Sequence, residues 1–264
     1  MVTAIARTAA SYGATILTRV RCETASGTSV TLVDELTGDS FELPAHAVVN
    51  ATGVWAAELA TNIKIRPSRG THLVLDAAKR GNPTGSLTVP VPGHTNRFCF
   101  VLPAEHNRVY IGLTDEDAPG PIPDEPEVPE DDIVFLLDVI NQALEVPLTR
   151  DDVIGAFAGL RPLIDAGEAH TADLSREHAL LEAPNGLISI TGGKLTEYRL
   201  MAEQTVDKVE EKLGVSFAPC STRTIPVLGS EPEELDRART AAAAGRIPMP
   251  LFNRYGAESF EVIE

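Results

Sequence analysis

A strand, a Gly-Gly turn and a helix start follow one another near residue 190, and a lysine lies at their junction. Residues 188–191 are apolar enough for a buried strand, Gly192 and Gly193 follow, and helical spacing begins near Leu195. Glycines let the backbone pass close to a ligand, and a helix start presents unpaired N–H groups and the positive end of its dipole. With the cation of Lys194, this segment is suited to bind a negatively charged group.

The same segment also has a purely structural interpretation. Two glycines can simply form a tight turn between a strand and a helix. A nucleotide P-loop is excluded, because Ile188 stands where its first glycine would be and Leu195 stands where its Ser or Thr would be. Taken alone, the segment leaves both an anion site and a simple turn open.

Two further side chains could do chemistry beside an anion site. Arg161 follows the apolar residues 153–160, and Pro162 is expected to end that strand. Its guanidinium offers a fork for a phosphate or a carboxylate, with a salt bridge to Asp165 or another acid as the structural alternative. His72 lies in a strand-like run, and imidazole has the intrinsic pKa of a general base near neutral pH. A partly buried strand histidine is the alternative there.

These segments, taken in order along the chain, carry a family resemblance. The turn at residues 51–53 also follows a short apolar strand and leads into a helix, as the Gly-Gly-Lys turn does. Together with the segments around His72 and Arg161, the two turns resemble the FAD-dependent glycerol-3-phosphate dehydrogenases, within the amino-acid-oxidase-like flavoproteins. The resemblance extends over about residues 14–214.

The resemblance implies a role for each of these residues. Arg161 and Arg176 would hold the anionic group of the substrate. His72 would take the hydroxyl proton, and Lys194 would lie beside the flavin and the substrate, where it would favour the negative charge that builds as hydride arrives. The implied catalytic set is therefore His72, Lys194 and Arg161, and the implied substrate-binding set is Arg161, Arg176 and Lys194. FAD contacts are implied for Ala51, Thr52, Gly53, Gly192, Gly193, Lys194, Leu195 and Thr196.

The implied reaction belongs to glycerol metabolism. It is the oxidation of sn-glycerol 3-phosphate to dihydroxyacetone phosphate by hydride transfer to FAD, with quinone or oxygen as the electron acceptor. An amino-acid or glycine oxidase is the alternative within the superfamily, but Lys194 and Arg176 supply more cation than one carboxylate needs. A non-catalytic binding module is the alternative from another class. The resemblance also implies a cytoplasmic protein, and it leaves room for peripheral association with the inner face of the membrane and for a homodimer.

One family element is missing from the sequence. No Gly-x-Gly-x-x-Gly follows a strand, although the family places this pyrophosphate loop at its N-terminus. We therefore expect a fragment that lacks roughly 150 residues of the dinucleotide-binding part. We expect such a fragment, taken alone, to bind FAD weakly and to turn nothing over.

Composition excludes other functional classes. The net charge of −16 over 264 residues comes without a basic run, which argues against nucleic-acid binding. The three cysteines and the histidines lack the spacing of a metal site, so no metal is expected. Residues 1–13 lack a long apolar stretch, so no signal peptide is visible, and no run approaches the length of a membrane span; 43% hydrophobic residues suffice for a large core.

Apolar periodicity predicts an α+β or α/β fold with an antiparallel sheet in the middle part of the chain. The resemblance implies that this sheet is a substrate-binding domain, flanked by parts of a Rossmann-like FAD-binding domain. The predicted domains are 1–64 with 179–213 for FAD, 65–178 for the substrate, and 214–264 as the start of a helical domain. Helices are predicted at 4–13, 54–62, 130–144 and 195–213, and strands at 14–20, 29–34, 40–43, 47–49, 65–69, 71–75, 87–91, 97–102, 109–113, 153–160 and 188–191.

Overall fold

The fold is described by a computed structural model for residues 1–165 and 177–263. By contacts the chain divides into two compact units, one of Met1–Cys22, Leu32–Phe41 and Ser216–Glu264, the other of Glu23–Thr31 and Glu42–Val215. The strands are β1 (Val20–Ala25), β2 (Ser29–Asp34), β3 (Ser40–Pro44), β4 (Val49–Asn50), β5 (Ile65–Asp76), β6 (Leu87–Pro90), β7 (Phe98–Ala104), β8 (Arg108–Gly112), β9 (Glu116–Asp117), β10 (Val153–Ile164), β11 (His178–Glu182) and β12 (Ile188–Gly192). The helices are α1 (Val2–Ser11), α2 (Ala56–Leu59), α3 (Glu130–Asn141), α4 (Tyr198–Leu213), α5 (Pro232–Ala243), α6 (Met249–Tyr255) and α7 (Ser259–Ile263).

A six-stranded antiparallel sheet dominates the larger unit. Its order is β10-β5-β8-β7-β6, and β9 pairs with β5 as well. Helix α3 covers one face of this sheet, where Leu73, Ile111, Leu136 and Ile140 are almost fully buried in a common core. Three acids in the first turn of α3 complement its dipole, as the sequence indicates. The predicted antiparallel sheet and the predicted start of this helix are confirmed.

Strand β10 extends past the point where we expected it to end. Arg161 lies inside the strand, opposite Ser68, and Pro162 pairs in register with Pro67. The prediction that Pro162 ends the strand is therefore wrong. The physical reason is that β10 forms the edge of the sheet, where a residue without an N–H group is tolerated. The two strands predicted around Gly70 likewise form one continuous strand, β5.

A second, three-stranded sheet in this unit has the order β11-β12-β4. Strand β12 pairs antiparallel with β11 and parallel with β4, and Ile188 to Thr191 are buried within it. Strand β4 and the following helix are shorter than predicted, because a 3-10 turn (Gly53–Trp55) precedes α2. Helix α4 ends as predicted at Gly214, which adopts a left-handed conformation with φ 63°.

The smaller unit contains α1 and the C-terminal helices. Ala238, Ala241, Ile247 and Ala257 are buried in one small core of these helices. The strand predicted at 14–20 is wrong for residues 14–19, because the amide of Ala14 bonds back to the carbonyl of Ala9 and completes the end of α1. The hairpin of β2 and β3 is confirmed, with β1 as its additional strand. The proposed domain boundaries stay predictions.

Candidate functional site

Arg161 and His72 come from neighbouring strands of the large sheet. Across the β10–β5 ladder, Arg161 is opposite Ser68 and Phe157 is opposite His72. Side chains alternate along a strand, so Ser68, Gly70 and His72 share one face of β5, and Thr71 and Leu73 point to the core on the other face. The sheet therefore positions the predicted anion ligand and the predicted base within one strand pair.

Hydrogen bonds to residues in the described part of the chain hold the guanidinium of Arg161. Its Nη1 donates to Ser68 Oγ at 3.1 Å and to Asp115 Oδ1 at 3.4 Å, and its Nη2 donates to the carbonyl oxygen of Thr114 at 3.1 Å. Ser68 Oγ also donates a short hydrogen bond to Asp115 Oδ1. Arg161 therefore takes part in an ion pair, with Asp115 as the acid; the guanidinium and the carboxylate are 23% and 10% exposed.

Two glycines provide the space that Arg161 and His72 occupy. A Cβ atom at Gly70 would collide with the guanidinium of Arg161, with its Cζ only 2.9 Å away. A Cβ atom at Gly112, which is opposite His72 on β8, would lie 2.7 Å from His72 Nε2. Each of these two predicted site residues thus lies over a neighbouring strand at a glycine, which has no side chain.

The environment of His72 favours the neutral imidazole. Its ring stacks on Phe157, with centroids 5.0 Å apart and planes 6° apart. Burial lowers the pKa of His72 below its ordinary value, and the positive charge of Arg161 lowers it further. A neutral imidazole can accept a proton near neutral pH, which is what a general base requires.

A cavity of about 160 Å³ adjoins Arg161. Arg161, Thr114 and Asp115 line one part of it, and Phe98, Phe100 and Leu113 contribute apolar surface. Charged and apolar groups thus converge on one small space beside the guanidinium, as in sites for small polar ligands.

The opposite face of β5 carries a separate, buried polar network. Arg69 donates to both carboxylate oxygens of Asp132 on α3, at 3.0 and 3.1 Å, and Thr71 donates to the same carboxylate. Burial alone would raise the pKa of Asp132, but the hydrogen bonds from Arg69 and Thr71 and the charge of Arg69 outweigh it, so this pKa is lowered. The donors and the acceptor of this network are hydrogen-bonded within the fold, so we interpret the network as structural.

The two predicted flavin turns lie at the same edge of the smaller sheet. Strands β4 and β12 are parallel, with Val49 opposite Ile188, and their carboxyl ends lead into residues 51–53 and 193–196. Thr191 Oγ1 donates to the carbonyl of Gly53 at 3.4 Å and so joins the turns. Ligands of α/β folds bind at the carboxyl ends of parallel strands.

The geometry of the residues at this edge fits a dinucleotide such as FAD. Gly53 has φ 61°, and among the described residues no heavy atom lies within 4 Å of the position its Cβ would take. Lys194, Leu195 and Thr196 are exposed beside it. At this edge a ligand can therefore approach the backbone of Gly53 closely, beside three exposed residues, one of which is a lysine.

The Gly-Gly-Lys turn is also packed tightly on its protein side. Gly192 and Gly193 both have positive φ, and a Cβ at Gly193 would lie 2.8 Å from Met201 Sδ. The amide of Lys194 donates to Glu197 Oε2 at 3.1 Å, and α4 begins only at Tyr198, after a 3-10 turn. The structure thus gives the turn a packing role, and the α-helix starts three residues later than predicted.

Two predicted site elements, the strand of Arg161 and the Gly-Gly-Lys turn, lie close together in the larger unit, and one predicted ligand lies outside the described residues. Ile164, three residues after Arg161 on β10, comes within 3.5 Å of the place of a Cβ at Gly192. The strand of Arg161 therefore lies close to the predicted flavin turn. Arg176 falls in the undescribed segment 166–176. The sequence analysis missed Asp115, which lies 46 residues from Arg161 and has no local motif, and it missed Ser68 and Gly112, which only strand alternation and register could have indicated.

A family model for FAD-dependent oxidoreductases matches residues 1–207 of the chain. The chain belongs to the FAD-dependent oxidoreductase family. The cofactor of this family is FAD, in agreement with the resemblance on which the sequence analysis relied. The mixed fold with antiparallel sheets and a partial Rossmann-like flavoprotein part is confirmed as well.

Within this oxidoreductase family, the chain is similar to proteins named as glycerol-3-phosphate dehydrogenases. Glycerol-3-phosphate dehydrogenase 1 of Mycobacterium tuberculosis is 51% identical over 266 residues, which cover 99% of this chain and 51% of that protein. The aerobic glycerol-3-phosphate dehydrogenase of Staphylococcus aureus is 33% identical over 213 residues, covering 76% and 38%. The chain spans about half the length of the curated relatives it matches.

Solved structures of family members agree with the fold. The glycerol-3-phosphate dehydrogenase of Bacillus halodurans complexed with FAD superposes with a TM-score of 0.79 at 31% identity, covering 97% of this chain and 53% of that one. Glycine oxidase of Bacillus cereus superposes with a TM-score of 0.55 at 18% identity, covering 82% and 56%. At 18% identity, the match to glycine oxidase shows a similar fold and nothing about function.

Proposed function

We propose that this chain supplies the substrate-binding part of a FAD-dependent glycerol-3-phosphate dehydrogenase, which oxidises sn-glycerol 3-phosphate to dihydroxyacetone phosphate. The observation that carries the proposal is the placement of Arg161 and His72 on the paired strands β10 and β5, with each side chain lying over a glycine of an adjacent strand. The names of the mycobacterial relative and of the FAD-bound Bacillus structure support it.

In this proposal Arg161 binds the phosphate group. A guanidinium presents planar, paired donors that suit phosphate oxygens, and its low exposure strengthens the contact. Arg176 is proposed as a second phosphate ligand on the family resemblance alone. A phosphate carries more negative charge than a carboxylate, so two arginines and a lysine suit it better than they suit an amino acid.

His72 acts as the proton acceptor in this scheme. The neutral imidazole takes the proton of the substrate hydroxyl, and the stacking on Phe157 holds its ring in one plane. Lys194 lies in the Gly-Gly-Lys turn, and its positive charge would favour the negative charge that develops on the flavin as it is reduced. The residues proposed to hold FAD, which would supply the hydride-accepting chemistry, are Ala51, Thr52, Gly53, Gly192, Gly193, Lys194, Leu195 and Thr196.

The remaining expectations stay proposals. We propose quinone or oxygen as the electron acceptor, a cytoplasmic location at the inner face of the membrane, and a homodimer. Among the described residues, no helix combines the length and the apolar character needed to cross a bilayer. The glycine oxidase alternative is not favoured, because only a fold likeness at 18% identity supports it.

The test uses the protein expressed from its complete gene and loaded with FAD, called the complete flavoenzyme below. We expect glycerol 3-phosphate, and neither glycine nor other amino acids, to bleach the flavin absorption and to reduce a dye. Arg161→Ala should raise KM about a hundredfold through the lost charge-assisted contact, whereas Arg150→Ala, which breaks an exposed ion pair with Glu130, should not. Reduction by an amino acid would move the enzyme to the oxidase branch, and no reduction would refute the proposal.

A further inference from the structure

We propose that Asp115 is a positioning residue for Arg161: its carboxylate, together with Ser68 and the carbonyl of Thr114, fixes the direction in which the guanidinium meets the phosphate. Asp115 belongs to neither the implied catalytic set nor the implied substrate-binding set. The inference rests on the proposed function, because it assigns to Asp115 an effect on glycerol 3-phosphate binding that passes through Arg161.

The clamp on Arg161 draws on three parts of the sheet. Ser68 comes from β5, Arg161 comes from β10, and Thr114 and Asp115 lie between β8 and β9. Both terminal nitrogens of the guanidinium are held: Nη1 by Ser68 at 3.1 Å and Asp115 at 3.4 Å, and Nη2 by Thr114 at 3.1 Å. Contacts at both nitrogens set the plane of the guanidinium as well as its position.

Asp115 is itself held in place. Ser68 Oγ donates to the Oδ1 atom that accepts from Arg161, and the carboxylate is only 10% exposed. At low exposure the attraction between the two charges is screened little by water, so Asp115 biases the direction of the guanidinium even across 3.4 Å. The side chain of arginine has many rotamers, and a contact that selects one of them in advance removes that ordering cost from substrate binding.

The room around Arg161 makes such a contact necessary. Gly70 has no side chain, and the guanidinium lies in the space that a Cβ atom would take. A glycine surface does not by itself select one guanidinium rotamer. Asp115, acting with Ser68 and the Thr114 carbonyl, therefore supplies the direction that the strand surface does not.

Asp117 offers a matched control two residues along the chain. It also pairs with an arginine, Arg66, but its carboxylate is 43% exposed. Asp115→Asn and Asp117→Asn remove the same charge from the same segment of the sheet. Only the first substitution disturbs the clamp.

The experiment is a double-mutant cycle in the complete flavoenzyme, measured as kcat and KM for glycerol 3-phosphate, with FAD content from the visible spectrum. Asp115→Asn should raise KM about tenfold, with kcat and FAD content within twofold of the unsubstituted protein, and Asp117→Asn should change none of these. In the Arg161→Lys background, where the planar fork is absent, Asp115→Asn should change KM less than twofold.

Two results would overturn the inference. One is an unchanged or lowered KM in Asp115→Asn, which would mean that the carboxylate is neutral or competes with phosphate. The other is the same KM factor in both Arg161 backgrounds, which would mean that Asp115 acts without Arg161. If Asp115→Asn loses its FAD or does not fold, Ser68→Ala decides: a KM increase of about threefold that disappears with Arg161→Lys supports the clamp, and no increase refutes it.

The unsubstituted flavoenzyme is measured first. If glycerol 3-phosphate does not reduce it, the proposed function fails and the inference fails with it. If it is reduced normally and the variants behave like Asp117→Asn, only the role of Asp115 fails.

Discussion

Gly112 lies directly beneath the imidazole of His72, so that a Cβ atom at position 112 would stand 2.7 Å from His72 Nε2. The two residues are opposite each other on β8 and β5. Because the other side of the ring stacks on Phe157, the imidazole cannot move away from an added methyl group without losing this stacking contact. A glycine on one strand thus sets the place of the proposed base on the next.

Gly112→Ala should therefore impair catalysis. The methyl group would push the His72 ring out of its plane, and we expect kcat of the complete flavoenzyme to fall at least tenfold, with an overpacking cost of about 1–3 kcal/mol in unfolding free energy. Gly159→Ala is the matched control, because among the described residues no heavy atom lies within 4 Å of its Cβ position. Equal kcat values in the two variants would contradict this role of Gly112.

The pH dependence of kcat/KM should report the lowered pKa of His72. Burial and then the charge of Arg161 lower this pKa, so the base stays deprotonated to below the ordinary histidine value of about 6.5. Activity should fall only as pH drops through this lowered pKa. Arg161→Gln removes the nearby positive charge and makes protonation easier, so the acidic limb should move to higher pH while burial still holds it down. A limb that stays in place, or that moves to lower pH, would argue against His72 as the group that titrates.

The Arg69–Asp132 ion pair should contribute strongly to stability. Asp132→Ala leaves the guanidinium of Arg69, which is 20% exposed, without its principal partner, and we expect a loss of about 3 kcal/mol in urea unfolding. Asp131→Ala is the control, since Asp131 is exposed and lies in the same first turn of α3, where it interacts equally with the helix dipole. The difference between the variants reports the whole buried network of Asp132, which includes Arg69, Thr71 and Thr114, and similar losses in both would show that this network contributes little.

Gly53 and Gly214 provide a matched pair for the proposed FAD site. Both have a left-handed backbone, with φ 61° and 63°, and in the described part of the chain neither has a heavy atom within 4 Å of its Cβ position. Alanine at either position should therefore cost about 1 kcal/mol of unfolding free energy. Only Gly53→Ala should weaken FAD binding, measured by titrating flavin fluorescence, because its methyl group projects at the edge where β4 and β12 end. Equal FAD affinities would place the cofactor elsewhere.

Much of the fold could be predicted because its signals are local. The acidic first turn and apolar face of α3, the Gly214 stop of α4 and the alternation of the central strands all follow from residues a few positions apart. The failures have local causes too. Residues 14–19 resemble a strand in sequence, but the end of α1 uses the amide of Ala14. Pro162 resembles a strand end, but it lies on an edge strand opposite another proline.

The sequence by itself determined the kind of chemistry. The types of His72, Arg161 and the Gly-Gly-Lys turn pointed to an anionic ligand and a possible base, and the family resemblance added the flavin, with which the family match agrees. Only the tertiary structure decided what surrounds those residues. Strand register put Gly112 beneath His72 and Asp115 beside Arg161, although Asp115 is 46 residues away along the chain. Such contacts depend on which strands pair and in what register, and pairing over that distance leaves no periodic signal in a single sequence.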